Sequence, residues 1–194
     1  MKREIVVIGA SAGGLDAVCR LLRELPGAFG FALILVQHRS RDSDSLCTVL
    51  QTCGGMPVSE AVDKDEIEVG RVYLAPADYH LLVDDSHFAL STDAPEFYSR
   101  PSIDLAFESV ADTYQARVVG VVLTGANRDG ARGLRRIVDR GGAALVQDPT
   151  TADVPVMPLA AIAAVPEAEV LPLEAIVARI CALTATADSK ELGR

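Results

Sequence analysis

The chain has 194 residues, 49% of them hydrophobic and 23% charged, which fits one globular domain built around a single core and argues against two independent ones. Its 27 acidic residues outnumber 18 basic ones, for a formal charge of −9. Without a cluster of Lys and Arg, general nucleic-acid binding is not expected.

The first strand is predicted at Ile5 to Ile8, followed by a helix from Gly14 to Leu25 that Pro26-Gly27 stops. A second strand, Phe31 to Val36, leads to a helix from Ser43 to Gln51 with Asp42 or Ser43 as its cap. After a strand at Arg71 to Leu74, two short strands, Tyr79 to Val83 and His87 to Ser91, flank Asp84-Asp85-Ser86 and form an antiparallel hairpin. Then come a helix from Ser102 to Tyr114 behind Arg100-Pro101, a strand at Val118 to Leu123, a helix from Gly130 to Arg140 ended by Gly141-Gly142, and a strand at Ala143 to Val146. Helices at Pro158 to Ala164 and Leu173 to Ala185 complete the order. Short apolar strands alternating with helices predict an α/β fold: a doubly wound, mostly parallel sheet with helices on both faces and one antiparallel hairpin. The domain is expected over residues 1 to 185, with 186 to 194 a frayed polar tail.

The apolar runs are too short to span a bilayer, and Met1-Lys2-Arg3-Glu4 leads into Ile5 without a signal-peptide pattern. A cytoplasmic protein with no membrane insertion is therefore expected. Cys19, Cys47, Cys53 and Cys181 lie far apart and form no C-x-x-C pair, so free, mostly buried thiols are expected, and no convergent set for a metal.

Chemistry concentrates at Val7 to Val18, which contains Gly9-Ala10-Ser11-Ala12-Gly13. A dinucleotide fingerprint needs a glycine where Ser11 stands and an acidic residue at the end of the second strand, where the chain has Gln37-His38. No Gly-Lys-Ser/Thr follows either, so no nucleotide cofactor is expected. A tight strand-to-helix turn with small neighbours instead exposes the Ser11 hydroxyl at the carboxyl edge of the sheet, beside helix amides that could stabilise an oxyanion. A serine at such a position is by itself more often only a cap.

A nucleophilic serine needs a base and a group to orient it. His38 ends the second strand, and Asp129 follows Val118 to Leu123 through Thr124-Gly125-Ala126-Asn127-Arg128. Each alone has a plain structural reading, a polar strand end and a helix cap; together with Ser11 they make a Ser, His, Asp set. His80 reads as a packing or loop-bonding residue and His87 as exposed. Arg39 and Arg41 read equally as solvated loop residues or as contacts for an acidic partner.

Several motifs in order make the chain resemble the catalytic domain of the CheB family, the chemotaxis protein-glutamate methylesterases. They are Ile8-Gly9-Ala10-Ser11-Ala12-Gly13-Gly14, Val36-Gln37-His38, Val72 to Leu81, Arg100-Pro101-Ser102-Ile103-Asp104, Leu123-Thr124-Gly125 with Asp129-Gly130-Ala131, and Met157-Pro158 with Ala160-Ala161-Ile162. The resemblance covers roughly residues 5 to 183. It implies a catalytic triad of Ser11, His38 and Asp129. It also implies hydrolysis of γ-glutamyl methyl esters on the cytoplasmic helices of chemoreceptors or a related protein substrate, and in some members glutamine deamidation. Amides near Ala12 and in the Gly125 to Asn127 loop are its expected oxyanion donors.

The sequence departs from the family's Thr-Gly-Met-Gly-x-Asp-Gly at Ala126 and Asn127, where Asn is a residue that tolerates a left-handed turn. Leu159 stands where the family has Arg, and Ala12 where it often has Thr. The sequence starts at the first strand of the esterase without the family's usual phosphorylatable receiver domain, so the expectation is either a stand-alone esterase under a separate regulatory protein or a fragment of a longer chain, with Met1 favouring the first. The alternative is a catalytically weak CheB-like interaction module, and a third reading, a nucleotide-binding domain, would show as melting shifted by nucleotide.

Overall fold

The structure is a computed structural model and describes residues 4–39 and 45–185. Asp42 and Ser43 as helix caps, Arg41 as a surface contact and the tail 186–194 all lie outside the described residues.

Seven parallel strands form one sheet: β1 (Ile5–Ala10), β2 (Ala32–Gln37), β3 (Val58–Glu60), β4 (Val72–Leu74), β7 (Val118–Val122), β8 (Ala143–Gln147) and β9 (Glu169–Leu171), in the order β3-β4-β2-β1-β7-β8-β9. β5 (His80–Asp84) and β6 (His87–Ser91) pair antiparallel as a separate hairpin. The doubly wound sheet with one hairpin is thus as expected. Two strands that sequence patterning does not register, β3 and β9, form its outer edges.

All six residues of β1 are buried, as a central strand covered on both faces requires. Its side chains alternate between two cores. Ile5 and Val7 join the face covered by α3 (Ile103–Tyr114), α4 (Ala131–Asp139), α5 (Val156–Ala164) and the hairpin; Val6, Ile8 and Ala10 join the face covered by α1 (Gly14–Glu24), α2 (Leu46–Cys53) and α6 (Leu173–Thr184). The chain leaves β1 through α1 on one face and leaves the adjacent β7 through α4 on the other. The two strands therefore part at their carboxyl ends, the place where open α/β sheets hold their ligands.

One expectation is corrected. Cys19 of α1 and Cys53 at the end of α2 form a disulfide with a Cα separation of 5.1 Å, and only Cys47 and Cys181 are free thiols. The packing of α1 on α2 brings together two residues 34 positions apart, which sequence spacing does not disclose. Among the described residues, no helix is long and apolar enough to cross a membrane, and no group of three His, Cys, Asp or Glu could hold a metal ion.

Candidate active site

β1 and β2 pair in register up to Ala10 and Gln37, so Ser11 and His38 each stand one residue past that pair, at the same edge. The turn after Ser11 closes with Gly14 N–H donating to Ser11 O at 2.9 Å, and Gly13 takes φ 75° to start α1. That left-handed step suits glycine, and a β-carbon there would also meet the Asp153 side chain at 2.6 Å. The turn is bound to its neighbours on both sides. Ser11 N–H donates to Thr124 O at 3.0 Å, and Thr124 Oγ1 donates to Ala12 O at 2.8 Å. Gln37 Nε2 donates to Ser11 O at 2.8 Å and to His38 O at 3.1 Å, so one amide ties both residues to the end of β2.

His38 Nε2 lies 2.8 Å from Asp129 Oδ2, and both side chains are nearly or fully buried, 8% and 0% exposed. Asp129 collects three further donors from the start of α3. Oδ1 accepts from Ser102 Oγ at 3.1 Å and from Asp104 N–H at 2.8 Å, and Oδ2 accepts from Ile103 N–H at 2.8 Å. Burial opposes ionisation of this carboxyl, but the hydrogen bonds from His38, Asp104 N–H and Ile103 N–H outweigh it and hold the pKa below the ordinary value. Asp129 is therefore an ionised, acceptor-only group, and its His38 contact is a charge-assisted bond.

Beside it, Asp104 Oδ1 accepts from Gly130 N–H at 2.9 Å and Gly133 N–H at 2.8 Å. Burial raises its pKa, the Gly133 bond works against that and the Asp129 charge adds to it, leaving a value of about 6.

His38 and Asp129 are brought together as expected. Ser11 is placed at the same edge, but no hydrogen bond joins its hydroxyl to His38 among the described residues; the ring's other nitrogen, Nδ1, has Ser99 Oγ at 3.3 Å. Gly125 N–H is committed to Val154 O at 3.0 Å, which removes it from the expected oxyanion donors and leaves the amides of Ala12, Ala126 and Asn127, the first two in exposed residues. Asn127 does not take up the left-handed turn its position invites; its side-chain oxygen accepts from Asp129 N–H at 3.1 Å instead.

The other polar residues separate clearly. His80 is fully buried, accepts from Ser102 N–H at Nδ1 and donates from Nε2 to Ala94 O, so it bonds a loop as expected. His87 is exposed. Arg39 is neither solvated nor available to a partner: its side chain is 5% exposed, pairs with Glu60 and donates to Ala75 O. Ser102, Asp104 and Gln37 support the site but carry no sequence signal of that role beyond their nearness to Pro101 and His38.

The family model for CheB methylesterase matches residues 6–180. The chain belongs to the CheB methylesterase family. It is 44% identical over 178 residues to a Leptospira interrogans (serovar copenhageni) protein provisionally named protein-glutamate methylesterase/protein-glutamine glutaminase, covering 91% of this chain and 92% of that one. A Cupriavidus pinatubonensis protein-glutamate methylesterase/protein-glutamine glutaminase is 38% identical over 91% of this chain, which spans 52% of that protein's length. Among solved structures, the Thermotoga maritima CheB methylesterase catalytic domain superposes with a TM-score of 0.88 at 30% identity, over 94% of this chain and all of that one.

Proposed function

We propose that this CheB-family chain is a protein-glutamate methylesterase that uses Ser11 as nucleophile, His38 as base and Asp129 as the orienting acid. The observation that carries the reading is the 2.8 Å contact between His38 and a buried, ionised Asp129 at the sheet edge where the Ser11 turn emerges. Ser11 Oγ attacks the carbonyl carbon of a γ-glutamyl methyl ester while its proton passes to His38. The amides of Ala12 and Ala126 receive the oxyanion. Collapse of the tetrahedral intermediate expels methanol, which takes the proton back from His38, and leaves an acyl-enzyme. A water deprotonated by His38 then breaks the acyl bond, giving glutamate and free Ser11. Asp129 holds the imidazole tautomer and stabilises its protonated form throughout.

The paired names of the relatives support a second use of the same acyl-enzyme, reached from a glutamine side chain with ammonia leaving. The substrates are methylated cytoplasmic helices of chemoreceptors or a related protein, which places the enzyme in the cytoplasm. The test is methanol release from a methylated receptor cytoplasmic fragment by the wild type and by Ser11→Ala, both verified as folded. Release that vanishes in the variant supports the reading; release that persists overturns Ser11 as the nucleophile, and none from the wild type on several fragments overturns the esterase in favour of a binding module.

A further inference from the structure

The second nitrogen of His38 already has a partner, and it is not the proposed nucleophile. Asp129 can only accept, so Nε2 carries the ring proton when the imidazole is neutral, and the lone pair that would act as base sits on Nδ1. The hydroxyl facing Nδ1 is that of Ser99, at 3.3 Å.

Ser99 is held there by more than that contact. Glu96 N–H donates to Ser99 O at 3.1 Å and Ser99 N–H to Glu96 O at 2.8 Å, closing a two-residue turn. Its central residues, Phe97 and Tyr98, take φ 47° and 62°, a left-handed pair that bulky aromatic side chains adopt only at a cost. The Arg128 guanidinium lies over the Phe97 ring at 4.9 Å, which joins the turn to the loop that delivers Asp129. On the other flank Arg100 donates to Thr92 O at 2.7 Å, Asp93 O at 3.0 Å and the Asp78 carboxylate at 2.6 Å. A strained turn pinned on both sides presents one hydroxyl to the base.

Building on the Ser11, His38 and Asp129 reading, we propose that Ser99 is a positioning residue: its hydroxyl occupies Nδ1 of His38 in the resting enzyme and must release it before Ser11 can be deprotonated. The exchange is one hydrogen bond for another. Ser99 O–H···Nδ1 breaks, Ser11 O–H···Nδ1 forms, and the Ser99 hydroxyl turns to water. Ser99 thus fixes the resting orientation of the imidazole and competes with Ser11 for its lone pair.

The test compares wild type, Ser99→Ala, Ser99→Thr and Ser11→Ala in two measurements. In nitrogen-15 NMR of the histidine ring, His38 is expected as the Nε2–H tautomer, with an Nδ1 resonance that moves in Ser99→Ala and stays in Ser99→Thr and Ser11→Ala. Inactivation by a small fluorophosphonate is expected to be about 3- to 10-fold faster in Ser99→Ala, the span of one modest hydrogen bond. Ser99→Thr should restore the slow rate. An Nδ1 resonance indifferent to Ser99→Ala, or an inactivation rate that does not rise, overturns the proposal. Labelling that persists in Ser11→Ala, or a wild type inert to the reagent, counts instead against the Ser11 reading, and the Nδ1 resonance still decides the role of Ser99.

Discussion

Asp104 and Asp129 hold each other's helices. Asp129, one residue before Gly130, accepts from the first amides of α3, and Asp104, in the first turn of α3, accepts from Gly130 and Gly133 at the start of α4. Each carboxylate thus satisfies amides that a helix N-terminus leaves open, where negative charge is favoured. The proposed catalytic acid is one half of this reciprocal brace.

Asp129→Asn is expected to fail in two ways. Whichever way the amide is turned, its NH2 faces either Asp104 N–H or Ile103 N–H, a cost of about 1–3 kcal/mol in a urea melt. Loss of the charge that orients His38 should lower esterase turnover by about 10⁴-fold, as the same change does in a serine triad.

Asp104 gives stability a pH dependence of defined sign. Its carboxyl titrates near about 6 in the fold and near about 3.9 when unfolded. The folded state therefore binds the proton more tightly, and the resulting stability, complete below the unfolded value, is lost as pH rises through the folded one. Relative to Asp104→Asn, the wild type should lose about 2 kcal/mol between pH 4 and pH 7. Denaturant titrations of both proteins at several pH values measure it, and parallel curves would contradict it.

The Cys19–Cys53 bond should stabilise chiefly by restricting the unfolded chain. For a separation of 34 residues, chain entropy puts the gain at roughly 3–4 kcal/mol. Cys19→Ser/Cys53→Ser should lose that amount and become insensitive to dithiothreitol. Thiol titration of the oxidised, denatured protein should find the two free cysteines, Cys47 and Cys181. A reducing compartment disfavours such bonds, so the reduced form should be assayed beside the oxidised one.

Gly9→Ala tests whether the brace depends on how closely α3 approaches β1. A β-carbon at Gly9 would lie 2.4 Å from Ile103 Cγ2, and Ile103 N–H is a donor to Asp129. Overpacking should cost about 1–3 kcal/mol, with a several-fold loss of methanol release. Gly120→Ala, which meets Ile137 Cδ1 at 2.5 Å at mid-sheet, is the control: similar destabilisation with activity kept.

Most of the fold is legible because each buried strand is a continuous apolar run and several helices have a stop or cap signal, such as Pro26-Gly27 after α1, Ser102 before α3 and Gly141-Gly142 after α4. β3 and β9 escape because they are three residues long at the sheet edges; Ser59, Glu60, Glu169 and Val170 are exposed, leaving no apolar run to detect. The meeting of His38 with Asp129 is legible for a related reason: both follow strand runs that flank β1, and a parallel sheet gathers the carboxyl ends of its strands. Ser99 and Gln37 are not, because what they do depends on where a loop turns and which carbonyls an amide reaches. The disulfide likewise requires two helices to be packed before two distant cysteines become neighbours.

The support of Asp129 is written partly in main chain. Two of its four donors, at Ile103 and Asp104, are peptide groups, which every residue but proline supplies. Those contacts can outlast a change of side chain at either position so long as α3 begins where it does. What substitution can readily abolish is narrower: the imidazole of His38, the hydroxyl of Ser102, and the geometry of the helix start.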